Sequence, residues 1–179
     1  MKSVLCTIFP GFEEIEAVAP IDILRRAGVK VATASLSGDE TVAGRSGIKI
    51  VCDTTLPRAE VDSFDAIFIP GGPGVYNNLD NAELLSLVKK FRAEKKLIAA
   101  ICAAPLILDK AKVLGGAGVA IHPSAEKFLD AKAQTVRVAS EDSIITSRGA
   151  GTAIEFALKI VEELCGAESA KKIAESICF

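Results

Sequence analysis

A chain of 179 residues, half of them hydrophobic and a quarter charged, has the composition of one folded domain spanning residues 1–179 rather than of a disordered segment. Twenty-one basic residues against 23 acidic ones leave a net charge of −2, and with no Trp and a single Tyr, Tyr76, the composition argues against a nucleic-acid partner. No apolar run approaches the roughly 20 residues of a membrane span, and the apolar opening stops at Pro10-Gly11, too short for a secretory signal.

Residues 3–9 read as a strand, and residues 13–27 as a helix with Pro20 expected to break or kink it and Gly28 to stop it. Residues 29–36 form the next strand, 48–51 a candidate strand, and 64–69 a strand whose stretch from Ala66 onward is apolar. A helix opens near Asp80, where Leu84, Leu85, Leu87, Val88 and Phe91 share one side. Residues 97–101 are again a continuous apolar strand, and Pro105 marks the first turn of a helix. Strands are further expected at 118–121, 135–139 and 143–146, then a helix carrying Ala153, Ala157, Ile160, Val161 and Leu164, with Thr152 and Glu155 spaced as a capping box. Strands alternating with helices imply right-handed crossovers and a doubly wound α/β domain, its mostly parallel sheet covered by helices on both faces. Ligands of such sheets sit beyond the carboxyl ends of the strands, so the turns at 10–16, 70–74, 102–105 and 122–123 are the places to look.

The five cysteines, at 6, 52, 102, 165 and 178, are odd in number and include no CxxC pair. They indicate free thiols in a cytoplasmic setting, with neither a disulfide framework nor a metal site. Cys102 stands apart because it joins a buried strand to a helix, the logic of a nucleophile elbow. Exposed N–H groups at a helix start favour a thiolate, so a lowered pKa is expected there; a small apolar core residue is the equal alternative. Glu13, Glu14 and Glu16 open the first helix, where acids complement the dipole. One of them can reach Cys102 across neighbouring strand ends, and a carboxyl buried against sulfur has its pKa raised. His122 is the only histidine and ends an expected strand, as a catalytic base or as an exposed side chain. Gly71 and Gly72 lack phosphate-loop spacing and suit either a tight turn or backbone N–H groups facing an oxyanion.

Together Gly-Phe-Glu-Glu-Ile-Glu (11–16), Pro-Gly-Gly (70–72), Ala-Ala-Ile-Cys-Ala-Ala-Pro (99–105) and Thr-Ser-Arg-Gly-Ala-Gly-Thr (146–152) resemble the ThiJ/PfpI superfamily, in the branch of the Parkinson-disease-associated protein deglycase. The resemblance implies a flavodoxin-like fold, a homodimer and an oxidation-sensitive Cys at Cys102, with the protonated acid at Glu16 and the nearby imidazole at His122. It also implies the glycine pair at Gly71 and Gly72, and an oxyanion faced by the N–H groups of Gly72 and Ala103. The activity implied is a cofactor-independent glyoxalase or deglycase acting on methylglyoxal-type α-oxoaldehydes or their early adducts through a Cys102 hemithioacetal. The alternative is a redox sensor or chaperone in which Cys102 becomes a sulfinate. Peptidase relatives carry His directly after the nucleophile; Ala103 here argues against that activity. Close relatives also carry Ser-Arg where this chain has Arg45-Ser46, and Arg26 matches an interface arginine.

Overall fold

Strands apolar on both faces need cover on both, and the computed structural model, which describes residues 1–179, supplies it. In chain order the elements are β1 (Ser3–Ile8), α1 (Glu14–Arg26), β2 (Lys30–Ser35), β3 (Thr41–Ala43), β4 (Lys49–Val51), β5 (Thr54–Thr55) and β6 (Ala66–Ile69). They continue with α2 (Ala82–Ala93), β7 (Leu97–Ile101), α3 (Pro105–Lys110), β8 (Val138–Glu141), β9 (Ile144–Ser147), α4 (Ala153–Cys165) and α5 (Ala167–Ser176). Seven strands form one sheet in the order β5-β2-β1-β6-β7-β9-β8, parallel except for the β8–β9 pair. Every residue of β1, β6 and β7 is buried. One helical layer is α1 packed on α4, with α5 against α4; the other is α2 with α3. No helix is long and apolar enough to cross a membrane.

From β1 the chain winds outward through β2 to β5, then returns to β6 on the other side of β1. The carboxyl ends of β1 and β6 therefore flank a switch point, where successive loops splay apart and leave a crevice. β7 is next to β6, so its carboxyl end opens onto the same place.

Several expectations need correction. Residues 118–121 are not a strand: Val119, Ala120 and Ile121 are buried, with only an isolated bridge from Val119 to Ala133. The edge of β7 is already taken by β9, and the Ala120 N–H donates instead to Thr146 Oγ1 at 2.9 Å. The strand expected at 48–51 leaves the main sheet to form a β3–β4 hairpin, and the strand at 135–139 starts only at Val138. α1 runs through Pro20 without a break; the proline forfeits one bond to the Glu16 carbonyl but buries its ring. The capping box does not form. Thr152 Oγ1 turns to the Gly149 carbonyl at 2.8 Å and Ser147 Oγ at 2.6 Å, while Glu155 pairs with Arg137. α5 carries no fully buried residue; Ala170 and Ile173 on it, and Ile177 just after it, pack part-buried against the core.

Candidate active site

Cys102 follows β7 with φ of +66°, a left-handed conformation that costs a residue with a Cβ about 1–2 kcal/mol. Three backbone bonds impose it. The Cys102 N–H donates to the Ser147 carbonyl at 2.8 Å, the His122 N–H to the Cys102 carbonyl at 3.0 Å, and the Ala104 N–H to the Ile101 carbonyl at 3.0 Å. α3 then starts at Pro105, so the elbow expected from sequence is present. The turn aims the sulfur at two N–H groups, those of Gly72 and Ala103.

The three acids divide three tasks. Glu13 caps α1, its Oε2 accepting the Glu16 N–H at 2.8 Å. Glu14 faces the β3–β4 turn, where its Oε1 accepts the Ser46 N–H at 2.7 Å. Burial alone would raise the Glu14 pKa, but that turn's N–H groups outweigh it and hold the carboxyl below its usual range. Glu16, only 1% exposed, reaches inward to hydrogen-bond Cys102, with its Oε2 accepting the Gly71 N–H at 3.0 Å. The Ala150 N–H also reaches this carboxyl.

Burial pushes the Glu16 carboxyl up to about 7, partly offset by its bonds to Cys102 and the backbone. Cys102 departs from the expected lowered pKa. Burial and then the Glu16 charge push the thiol up to about 12, against the pull of the Gly72 and Ala103 N–H groups. Two touching anions are too costly in so dry a place, so the pair gives up one proton near neutrality and retains the other. The sulfur is a thiolate when the retained proton sits on Glu16. This reading replaces the picture of a thiol acidified by a helix end alone.

His122 is exposed at the rim. Its Nδ1 accepts the Ser124 N–H at 3.3 Å and lies 2.8 Å from Ser124 Oγ, which leaves Nε2 to carry the proton of the neutral ring. A Cβ built on Gly149 would stand 3.3 Å from His122 Cδ2, 3.5 Å from Glu16 Oε1 and 4.0 Å from Cys102 Sγ, so the three groups surround one point. Cys102, Ala103, Gly72, Tyr76, His122 and Arg45 line a cavity of about 200 Å³. That is below the roughly 300–1,000 Å³ usual for drug-sized ligands and suits a molecule of a few carbons. A larger cleft of about 680 Å³ lies elsewhere, between β8, α4 and α5, and holds no thiol. No group of three or more His, Cys, Asp or Glu side chains is placed to share a metal ion.

The structure thus brings together Glu16, Gly71, Gly72, Cys102, Ala103 and His122. Arg26 is not among them; it is half-exposed on α1, where its Nε lies 2.7 Å from Asp22 Oδ2. Sequence reasoning gave no part to Gly149, Tyr76 or Ser124. Gly149 alone had a signal, its place in the glycine-bearing turn after a strand.

Gly71 has no room for a side chain: a Cβ there would collide with Cys102 Cβ, Glu16 Oε2 and the Ile101 carbonyl. Gly71→Ala is expected to lower unfolding free energy by about 1–3 kcal/mol in urea titrations, because backbone must shift to admit the methyl. An unchanged midpoint would contradict this packing.

A family model described as DJ-1/PfpI matches residues 2–163. The chain belongs to the DJ-1/PfpI family. It is 40% identical to Protein dj-1beta of Drosophila melanogaster, over 98% of this chain and 96% of that protein. Glutathione-independent glyoxalase DJR-1.2 of Caenorhabditis elegans is 36% identical, over 99% of this chain and 97% of that one. Among solved DJ-1 structures, oxidized Toxoplasma gondii DJ-1 superposes with a TM-score of 0.94 at 38% identity, covering 100% of this chain and 99% of that one.

Proposed function

We propose that this protein is a cofactor-independent glyoxalase acting on methylglyoxal-type α-oxoaldehydes, free or as early adducts, through Cys102. One observation carries the reading: a buried carboxyl that titrates near 7 shares a proton with a thiol on an enforced elbow, under two backbone N–H groups. The name of the Caenorhabditis elegans relative supports it.

With one proton lost and the other on Glu16, the sulfur adds to the aldehyde carbon of R–CO–CHO. Glu16 gives its proton to the new oxygen, beside the Gly72 and Ala103 N–H groups, and a hemithioacetal results. The freed carboxylate takes the hydrogen from that carbon as a proton, and the electron pair left behind forms an enediolate. The hydroxyl proton passes to the former ketone oxygen, and a proton returns to the former ketone carbon. The first carbon becomes a thioester as the second becomes an alcohol, an internal oxidation and reduction with no outside oxidant. Water releases a 2-hydroxy acid and restores the thiol, with His122 at the rim as the group able to assist. The net reaction adds one water to R–CO–CHO.

Methylglyoxal without glutathione is expected to yield lactate over many turnovers, and alkylation of Cys102 by iodoacetamide to stop it. No lactate, or lactate formation insensitive to that alkylation, would sink the proposal. The same N–H groups and carboxyl suit the oxygens of a sulfinate, which favours a redox sensor or chaperone as second reading. On that reading mild peroxide adds two oxygens to Cys102 before any other thiol.

A homodimer is our proposal for the assembly. Ile15 and Val18 expose 54% and 48% of their surface on one side of α1, with Ile48 and Val51 of the hairpin exposed as well. Glu14 Oε2, buried without a hydrogen-bond partner, lies beside that patch. Five free thiols suit a reducing compartment such as the cytoplasm.

A further inference from the structure

We infer that Arg45 makes this site select α-oxoaldehydes bearing an anionic group, a carboxylate or a phosphate, at the end remote from the aldehyde. The inference rests on the glyoxalase reading and deepens it. The residues lining the cavity around Cys102 include one full positive charge, Arg45, and no carboxylate. Of the other polar side chains lining it, the Tyr76 hydroxyl and His122 Nε2 each have a hydrogen to donate, while the Ser124 hydroxyl is engaged by His122 Nδ1. A purely apolar tail such as the methyl of methylglyoxal uses none of these groups.

Arg45 is also free to act. Arg25, Arg26, Arg92 and Arg137 each pair with an acid, whereas the Arg45 guanidinium makes no ion pair and no hydrogen bond within the chain. Its base is nevertheless fixed. The Arg45 N–H donates to the Phe12 carbonyl at 2.8 Å, and the next N–H, that of Ser46, is taken by Glu14. The turn is thereby tied to the start of α1, the same segment that delivers Glu16 to the sulfur. Glu14 does not compete for the guanidinium through that Oε1, which is already bonded to Ser46. A planar guanidinium with several donors on a fixed base suits a carboxylate or phosphate that a neutral tail cannot imitate.

The test compares three probes on the whole protein: 2-oxopentanal as the neutral substrate, 4,5-dioxopentanoate as the carboxylate and 3-phosphooxy-2-oxopropanal as the phosphate. At least one anionic probe is expected to exceed 2-oxopentanal in kcat/KM by about tenfold or more, chiefly through KM. Arg45→Gln should lower that ratio by about tenfold, Arg45→Lys should retain part of it, and 0.5 M NaCl should shrink it in the wild type. The identity of the better anionic probe distinguishes carboxylate from phosphate. Turnover of 2-oxopentanal with no anionic preference, or a ratio that Arg45→Gln leaves unchanged, overturns the role of Arg45 and leaves the glyoxalase standing. Failure of the wild type on all three probes overturns both.

Discussion

Cys102→Ser is expected to reduce kcat/KM for methylglyoxal by at least about a thousandfold, to the background of the uncatalysed reaction. Oxygen replaces sulfur in the same surroundings, so the elbow, the Gly72 and Ala103 N–H groups and the cavity all persist. What changes is proton affinity. A carboxylate that titrates near 7 exchanges a proton with a neighbouring thiol under two N–H donors, but a serine hydroxyl holds its proton far more tightly. The melting temperature should move little, because the substitution is close in size and adds no buried unpartnered charge. Lactate formation by the serine variant within tenfold of wild type would exclude a thiol nucleophile.

Glu16→Gln should also cost activity, by about 10²–10⁴-fold, the usual weight of a positioned acid–base group. The wild-type rate is expected to rise with pH and level off above about 7, where the pair has lost its first proton. The glutamine variant should lose that limb. Stability moves the opposite way. Folded Glu16 ionises at about 7 against a reference value of 4.5, so below pH 4.5 both states are protonated and the full contribution is present. As pH rises from 4.5 through 7 the unfolded chain ionises first, and the loss reaches the order of 3 kcal/mol above 7. Glu16→Gln should therefore melt higher than wild type at pH 8 and alike at pH 4. A variant that is less stable at pH 8 would mean that burial does not dominate this carboxyl.

Much of this architecture was legible because β6 and β7 are apolar throughout and the turns after them carry glycine or proline. The β7 sequence Leu97 to Ile101 reads the same in the chain and in the fold, and Pro105 marks the start of α3 in both. Where tertiary pairing decides, local pattern is insufficient. Residues 118–121 are as apolar as a strand but lose the edge of β7 to β9. Thr152 and Glu155 have capping-box spacing, yet Thr152 bonds back into its own turn at Gly149 and Glu155 pairs with Arg137. Periodicity likewise could not separate Glu13, Glu14 and Glu16, since helical spacing gives directions but not what waits there. The cysteine's protonation was misread for a related reason: the helix end is visible in sequence, while the depth of burial and the touching carboxyl are not.

The Cys102 elbow depends on Ser147, which accepts its N–H, and on the Gly149 turn beside it, both more than forty residues further along. During synthesis the ribosome releases Cys102 well before either. Until that later segment emerges, a nascent chain lacks the partner that fixes the elbow, so the special reactivity of the thiol arrives only after residues 147–149 have folded back onto it.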